Sequence, residues 1–212
     1  MAYGIGRVIR EDDTTLVVLY KDVGYVRKTV KPRYNLDILA RWLCAREVKA
    51  LKKVRGLNGL QQLVEQDSEA SFVSKYAKGI PLYKAKDIPH DYFDKLKVIL
   101  AGMHERGVAD LDFARPKDWI IDPNGNPIVI DLGAAVIYEP RHGIKSILMK
   151  PIFDYICKSN YRYMLKRKLK FLPNEMTQEE VDEAHKISIL GAIWKSYKVS
   201  RGYLKYQLGL TK

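Results

Sequence analysis

The order of segments along the chain predicts an α+β fold, with an N-terminal antiparallel sheet covered by one helix and a mainly helical remainder. Three observations predict it. Short runs of β-branched and aromatic residues occupy the first 80 positions, one long amphipathic segment interrupts them, and beyond residue 90 the apolar spacing is helical. YGIGRVI (3–9), TTLVVLY (14–20) and YVRKTV (25–30) are separated by the turn-like REDD and KDVG, the pattern of a three-strand meander. A sheet of that kind needs a cover. NLDILARWLCAREVKALKKVRG (35–56) supplies a helix, with Asn35 as N-cap and Gly56 as its stop. QQLVEQ (61–66) and SFVSKYAKG (71–79) read as two further strands joined by a tight polar turn.

HDYFDKLKVILAGMHERG (90–107) predicts an amphipathic helix ending at Gly107, and WIID and IVID flank a PNGNP turn as a small hairpin. From Lys150 onward two or three helices are expected, over PIFDYICKSNYRYMLKRKLKF and then TQEEVDEAHKISILGAIWKSYKVSRGYL, the latter opened by a Thr177/Glu180 capping box. The change of pattern near residue 77 divides the chain into an N-terminal part, 1–76, and a C-terminal part, 77–212, without a low-complexity linker between them.

The 212 residues are 47% hydrophobic, enough for a sizeable core. Cys44 and Cys157 lack metal-ligand spacing and are expected as reduced, buried thiols. There is no paired basic and apolar leader pattern and no apolar run long enough to span a bilayer, so a cytoplasmic location is expected. The net charge of +12 is concentrated after residue 140, where 15 Lys and Arg face 6 Asp and Glu. Such a surface suits anionic partners. Nucleic acid has only this charge in its favour, because no zinc-finger or RNA-recognition signature accompanies it, and HExxH and GxSxG are both absent.

Glu47 falls between Leu43 and Leu51 at four-residue spacing, on the stripe that Leu36, Leu43, Leu51 and Val54 mark as buried. A buried carboxylate wants a cation. Lys28, near the end of the third strand, is the first candidate and Lys21 the alternative; a Glu47 that snorkels to the edge of the stripe needs neither. ADLDFARPKDWIIDPNGNPIVIDLGAA (109–135) then sets Asp112, Asp118 and Asp131 around two brief apolar runs. Asp is a common turn former, so a structural role for each stands beside a chemical one.

The order Lys28, Glu47, Asp112, Asp131 resembles that of the protein-kinase fold, and is most similar to small bacterial kinases of the lipopolysaccharide kinase and RIO-like group. LARWLCAREVKALKKVRGLNGL resembles their helix C, YAKGIPL their hinge, and HERGVADLDFARPKDWIID with IVIDLGAA their catalytic loop and metal-binding motif; KSNYRYMLKRKLKFLPNEMTQEE resembles their C-terminal region. The resemblance implies a two-lobed kinase-like fold, ATP and Mg2+ as cofactors, and definite roles. Lys28 would hold the α- and β-phosphates with Glu47 orienting it, backbone groups of Lys75, Tyr76 and Ala77 would read the adenine edge, Asp112 would accept the proton of the attacking hydroxyl, and Asp131 would bind the metal. The second metal ligand, usually Asn, would be Asp118, with Lys117 its rival at the commoner spacing.

The chain also departs from that pattern. No glycine-rich loop lies between the first two strands, where Arg10, Glu11, Asp12 and Asp13 stand instead, Asp110 replaces a usual His, and Leu132 replaces a usual Phe. The short stretch after Asp131 leaves no room for a peptide-docking platform. The implied acceptor is therefore a hydroxyl of a lipopolysaccharide-core sugar or a protein Ser/Thr, with Arg162, Lys166, Arg167, Lys168 and Lys170 offering contact to an anionic sugar or the inner face of a membrane. A pseudokinase that binds nucleotide or a partner without turnover is the second expectation.

Overall fold

The computed structural model describes residues 4–11, 15–31, 37–140 and 144–186. It is an α+β structure whose N-terminal part is an antiparallel sheet. β1 (Arg7–Glu11), β2 (Thr15–Tyr20) and β3 (Tyr25–Val30) form the expected meander, and β4 (Leu63–Ser68) and β5 (Ser71–Lys75) complete a five-stranded sheet in the order β1-β2-β3-β5-β4. β1 starts at Arg7 and not at residue 3, because Gly4 takes a φ of 62°, outside extended geometry. On β3 the side chains alternate, so Lys28 shares a face with the buried Val26 and Val30.

The covering helix α1 (Asp37–Lys53) packs on β3 and β4. Its buried stripe is Cys44, Glu47, Val48, Leu51 and Val54, at spacings of three and four. Leu43 was expected on that stripe but is 37% exposed, because a residue four before Glu47 lies about 40° further round a 3.6-residue helix. The expected cap Asn35, and Leu36, lie outside the described residues.

After the two-residue strand β6 (Ile80–Pro81) comes α2 (Tyr92–Glu105), buried through Tyr92, Phe93, Leu96, Leu100 and Met103. Gly107 ends it at φ 70°, where a Cβ would lie 2.1 Å from the Tyr138 carbonyl oxygen. β8 (Trp119–Ile121) and β9 (Pro127–Val129) form the predicted hairpin, with β6 on its edge. The turn is held by Asp122, whose Oδ1 accepts from the Asn124 and Asn126 N–H groups at 2.9 and 2.7 Å. Unexpected from the pattern is the pairing of β7 (Val108–Asp110) with β10 (Ala135–Ile137), which brackets the hairpin and brings the loops after β7 and after β9 together.

α3 (Ile144–Phe171) begins earlier than the predicted start at residue 151, so Pro151 lies inside it. Proline removes one helical hydrogen bond, and the residue that loses its partner, Ile147, is 71% exposed. α4 (Gln178–His185) opens with the predicted capping box, Thr177 with Glu180, but does not run on unbroken as expected: Lys186 takes ψ 129°, outside helical geometry, and ends it, while residues 187–204 of the expected helix lie outside the described residues.

The chain divides into two compact units, Met1–Met164 and Leu165–Lys212. Residues 1–76 and the helical part as far as Met164 belong to the first. In the second, Lys168 is 6% exposed and its Nζ pairs with Glu180 Oε2 at 2.9 Å, so this member of the expected basic tract serves packing. Cys44 and Cys157 are free thiols, the first buried and the second half-buried. Among the described residues no helix is long and apolar enough to cross a membrane.

Candidate active site

Lys28 and Glu47 meet. α1 carries Glu47 inward at 1% exposure, and the Lys28 Nζ donates to Glu47 Oε2 at 2.5 Å and to Asp131 Oδ1 at 3.0 Å. Lys21, the alternative partner, sits in the turn before β3. Burial works to lower the Lys28 amine, but the two carboxylates outweigh it and hold the group cationic. Burial pushes the Glu47 carboxyl up to about 7, Lys28 opposes it, and Glu47 Oε1 is buried without a hydrogen-bond partner.

Asp131 follows β9 in left-handed backbone at φ 63°, the only described residue other than glycine with a positive φ. That conformation turns its carboxylate back toward β3. Gln61 fixes it: Gln61 Oε1 accepts the Asp131 N–H at 3.1 Å, while its Nε2 donates to Ser74 Oγ at 2.7 Å. Gly133 completes the fit, since a Cβ there would lie 3.3 Å from both Asp131 Oδ1 and Glu47 Oε2. Burial would raise the Asp131 carboxyl, but Lys28, with Arg10 and Arg115, holds it below its ordinary value. Arg46 of α1 donates through Nε to the Ala135 carbonyl at 2.5 Å and through Nη2 to that of Ala134 at 3.2 Å, locking the segment after Asp131 to the helix.

Asp112 lies on the loop after β7. Its N–H donates to Asp110 Oδ1 at 3.1 Å, and its Oδ2 pairs with Arg115 Nη2 at 2.6 Å. Asp110 is itself clamped, because Asn160 Oδ1 accepts its N–H at 3.1 Å and Asn160 Nδ2 donates to its carbonyl at 2.6 Å. Burial raises the Asp110 carboxyl to about 7 against the opposing Asp112 N–H bond. A raised carboxyl contributes stability that is complete below its unfolded value and is lost as pH rises through the folded one. The stability of the native chain therefore contains a component that falls between about pH 4 and pH 7, and Asp110→Asn should flatten that part of a urea midpoint against pH profile. An unaltered profile would mean that Asp110 titrates as an ordinary surface carboxyl.

Asp118, not Lys117, lines the central cavity. The backbone of Asp118, and not its side chain, makes the turn bonds: its N–H donates to the Arg115 carbonyl at 3.1 Å and its carbonyl accepts from Ile130 N–H at 2.9 Å. Burial, and then the charge of Asp131, raise the Asp118 carboxyl to about 6. A carboxylate raised by burial and by a neighbouring carboxylate favours a nearby cation. Among the described residues no three carboxylate, imidazole or thiol groups converge to hold a metal by themselves. A Mg2+ site built from one or two carboxylates and the phosphates of a nucleotide needs no such cluster, so Asp131 and Asp118 fit as its protein ligands.

The cavity lining combines apolar and charged chemistry. Ile9, Val17, Val26 and Ile130 line it together with Lys75, Tyr76 and Ala77 and with the charged Arg10, Lys28, Glu47, Asp118 and Asp131. The Lys75 and Tyr76 N–H groups, expected to face a ligand, are engaged by the Gln62 and Gly24 carbonyls at 2.9 and 2.8 Å. A second cleft shares Arg10, Lys28, Glu47 and Asp131 and adds Asp112 and Arg115, so Asp112 lines a cleft that adjoins the first. Gln61 and Asn160 carry no periodic or motif signal of their position here; Arg46 stands beside Glu47 as the Arg-Glu of the segment that resembles helix C, and Arg10 was visible only as a departure from a glycine-rich turn.

A scan against models of known protein families finds no match for the chain, and a search of curated proteins finds none similar.

Proposed function

We propose that the chain is a minimal phosphotransferase with a two-lobed, protein-kinase-like fold, moving the γ-phosphoryl group of ATP to a hydroxyl. The observation that carries this reading is the Lys28–Glu47–Asp131 cluster in a cavity that is also lined by apolar side chains and by the segment Lys75 to Ala77. A flat apolar body with an anionic tail suits such a mixed lining, and a nucleoside triphosphate has that form. Lys28, fixed by Glu47, binds the α- and β-phosphates. Asp131 and Asp118 hold Mg2+, which neutralises phosphate charge as it redistributes. Asp112 accepts the proton of the acceptor hydroxyl as its oxygen bonds to the γ-phosphorus and the bond to the β-phosphate oxygen breaks, releasing ADP. Phosphoryl transfer asks for little more than this positioning and charge complementarity.

The acceptor is a hydroxyl of a lipopolysaccharide-core sugar or of a protein Ser/Thr. The sugar is favoured because α3 begins at Ile144, so the stretch between Asp131 and the next helix is even shorter than the sequence suggested. Incubation with labelled ATP and Mg2+, alone and with membrane, core-sugar and protein fractions, tests the reading; absence of Asp112-dependent label transfer to any fraction sinks it. A pseudokinase is favoured by one observation, the 2.6 Å pairing of Asp112 with Arg115, which occupies the base. It predicts nucleotide binding without transfer in the same assay.

Asp118 offers a separate test. Asp118→Asn should retain activity but require several-fold more Mg2+, and Asp118→Ala should lose most of it, because a neutral amide still ligates weakly and a methyl does not. Superimposable Mg2+ titrations with equal maximal rates would remove Asp118 from the metal site.

A further inference from the structure

Arg10 lies where the resemblance would place a glycine-rich turn, and the pairing of β1 with β2 explains how it reaches the site. The register shifts between Val8, opposite Val18, and Arg10, opposite Val17, so Ile9 is an extra residue on the edge strand. A bulge of this kind re-aims side chains. Here it lets two consecutive residues, Ile9 and Arg10, line the same cavity. The Arg10 Nη1 lies 3.6 Å from Asp131 Oδ2, while Lys28 Nζ lies 3.0 Å from Oδ1, so a cation faces each oxygen of the carboxylate. Glu11, the acidic neighbour, is drawn away to Lys31 Nζ at 2.5 Å.

We infer that Arg10 is a phosphate-binding residue, whose guanidinium leaves Asp131 for the terminal phosphates of the nucleotide and does with a side chain what a glycine-rich turn does with backbone N–H groups. The inference rests on the nucleotide reading proposed above. A divalent ion at Asp131 and a guanidinium at the same carboxylate repel each other, so one cation must yield. Lys28 is retained by Glu47 at 2.5 Å; Arg10, on an edge strand and 46% exposed, is the one able to move. The acceptor that then suits a planar five-donor fork is the phosphate group arriving with the metal.

The exchange predicts effects of opposite sign. Calorimetry on the full chain with AMP, ATP and inorganic triphosphate, with Mg2+ present, should show Arg10→Ala weakening ATP and triphosphate by about 10- to 100-fold, the range for a lost hydrogen bond to a charged group, with AMP unchanged. Electron paramagnetic resonance with Mn2+ alone should show Arg10→Ala binding the ion several-fold more tightly, since a competing cation has been removed from Asp131. Arg10→Lys should recover part of the triphosphate affinity, and Arg7→Ala on the same strand should change neither quantity. ATP affinity untouched in Arg10→Ala, AMP and ATP weakened alike, or Mn2+ binding unchanged or weaker would each overturn the inference while leaving the nucleotide reading intact. Failure of the native chain to prefer ATP over AMP would instead overturn both.

Discussion

Asp112→Asn should suppress phosphoryl transfer by about 10²- to 10⁴-fold, the usual worth of a positioned general base, while Mg-ATP binding stays within a few-fold of the native chain. The split follows from where Asp112 lies. It faces the second cleft, and its contacts are the Asp110 carboxylate through its N–H and Arg115 through its Oδ2. The amide of Asn keeps the backbone bond to Asp110 and one acceptor oxygen for Arg115, so the loop should hold its shape. What is lost is the ability to take the hydroxyl proton. Single-turnover transfer beside calorimetric ATP binding reads the two separately, and equal losses in both would place Asp112 in nucleotide binding and not in chemistry.

Lys28→Ala should have the largest effect on the fold as well as on the site. Removing one partner of a buried ion pair typically costs about 3–5 kcal/mol, because the other charge is left without compensation. Glu47 is 1% exposed, so the cost falls on a carboxylate that can escape it only by taking up a proton. Its carboxyl already stands at about 7 with Lys28 opposing the rise, and without Lys28 it moves higher. Stability held by a raised carboxyl is complete below the unfolded value near 4.5 and is lost as pH rises through the folded one. The variant should therefore approach native stability near pH 5 and be weakest above pH 7, as read by urea unfolding across that range. Lys28→Met combined with Glu47→Leu should regain stability and not nucleotide binding, since an apolar pair of similar volume replaces a buried ion pair at little cost. A double variant that recovers ATP binding would remove Lys28 from the phosphate site.

The parts of this structure legible in the sequence are those with a repeating or paired signal. The meander, α1 and α2 follow from alternation and helical spacing, and Glu47 drew notice because a charge interrupts an apolar stripe. β7 and β10 were not legible, because three residues are too few to show alternation and their pairing spans 25 positions. The early start of α3 was missed because Pro151 reads as a first-turn residue, whereas a proline costs only one bond and an exposed helix face tolerates it. Among site residues, Lys28, Glu47, Asp118 and Asp131 converge on one cavity, and Asp112 lies on the adjoining cleft. The bonds of Gln61, Arg46 and Asn160 were not legible because they run to distant backbone, which leaves no pattern in composition or spacing. Arg10 escaped for a different reason: with Glu11 it reads as part of the turn REDD, whereas β1 runs on to Glu11 and its bulge brings Arg10 to the cavity.

The left-handed backbone at Asp131 has a consequence for anyone engineering this chain. Glycine occupies that conformation without the strain of roughly 1–3 kcal/mol that a side chain carries there. Removing the carboxylate would also relieve the crowding that raises Asp118 and Glu47, while Lys28 would keep Glu47 as its partner. A thermostability screen that scores melting temperature alone is thus drawn toward glycine at position 131, and would enrich heat-resistant proteins that lack the carboxylate proposed as a metal ligand. Libraries selected for robustness need residue 131 held fixed, or a binding readout imposed at every round.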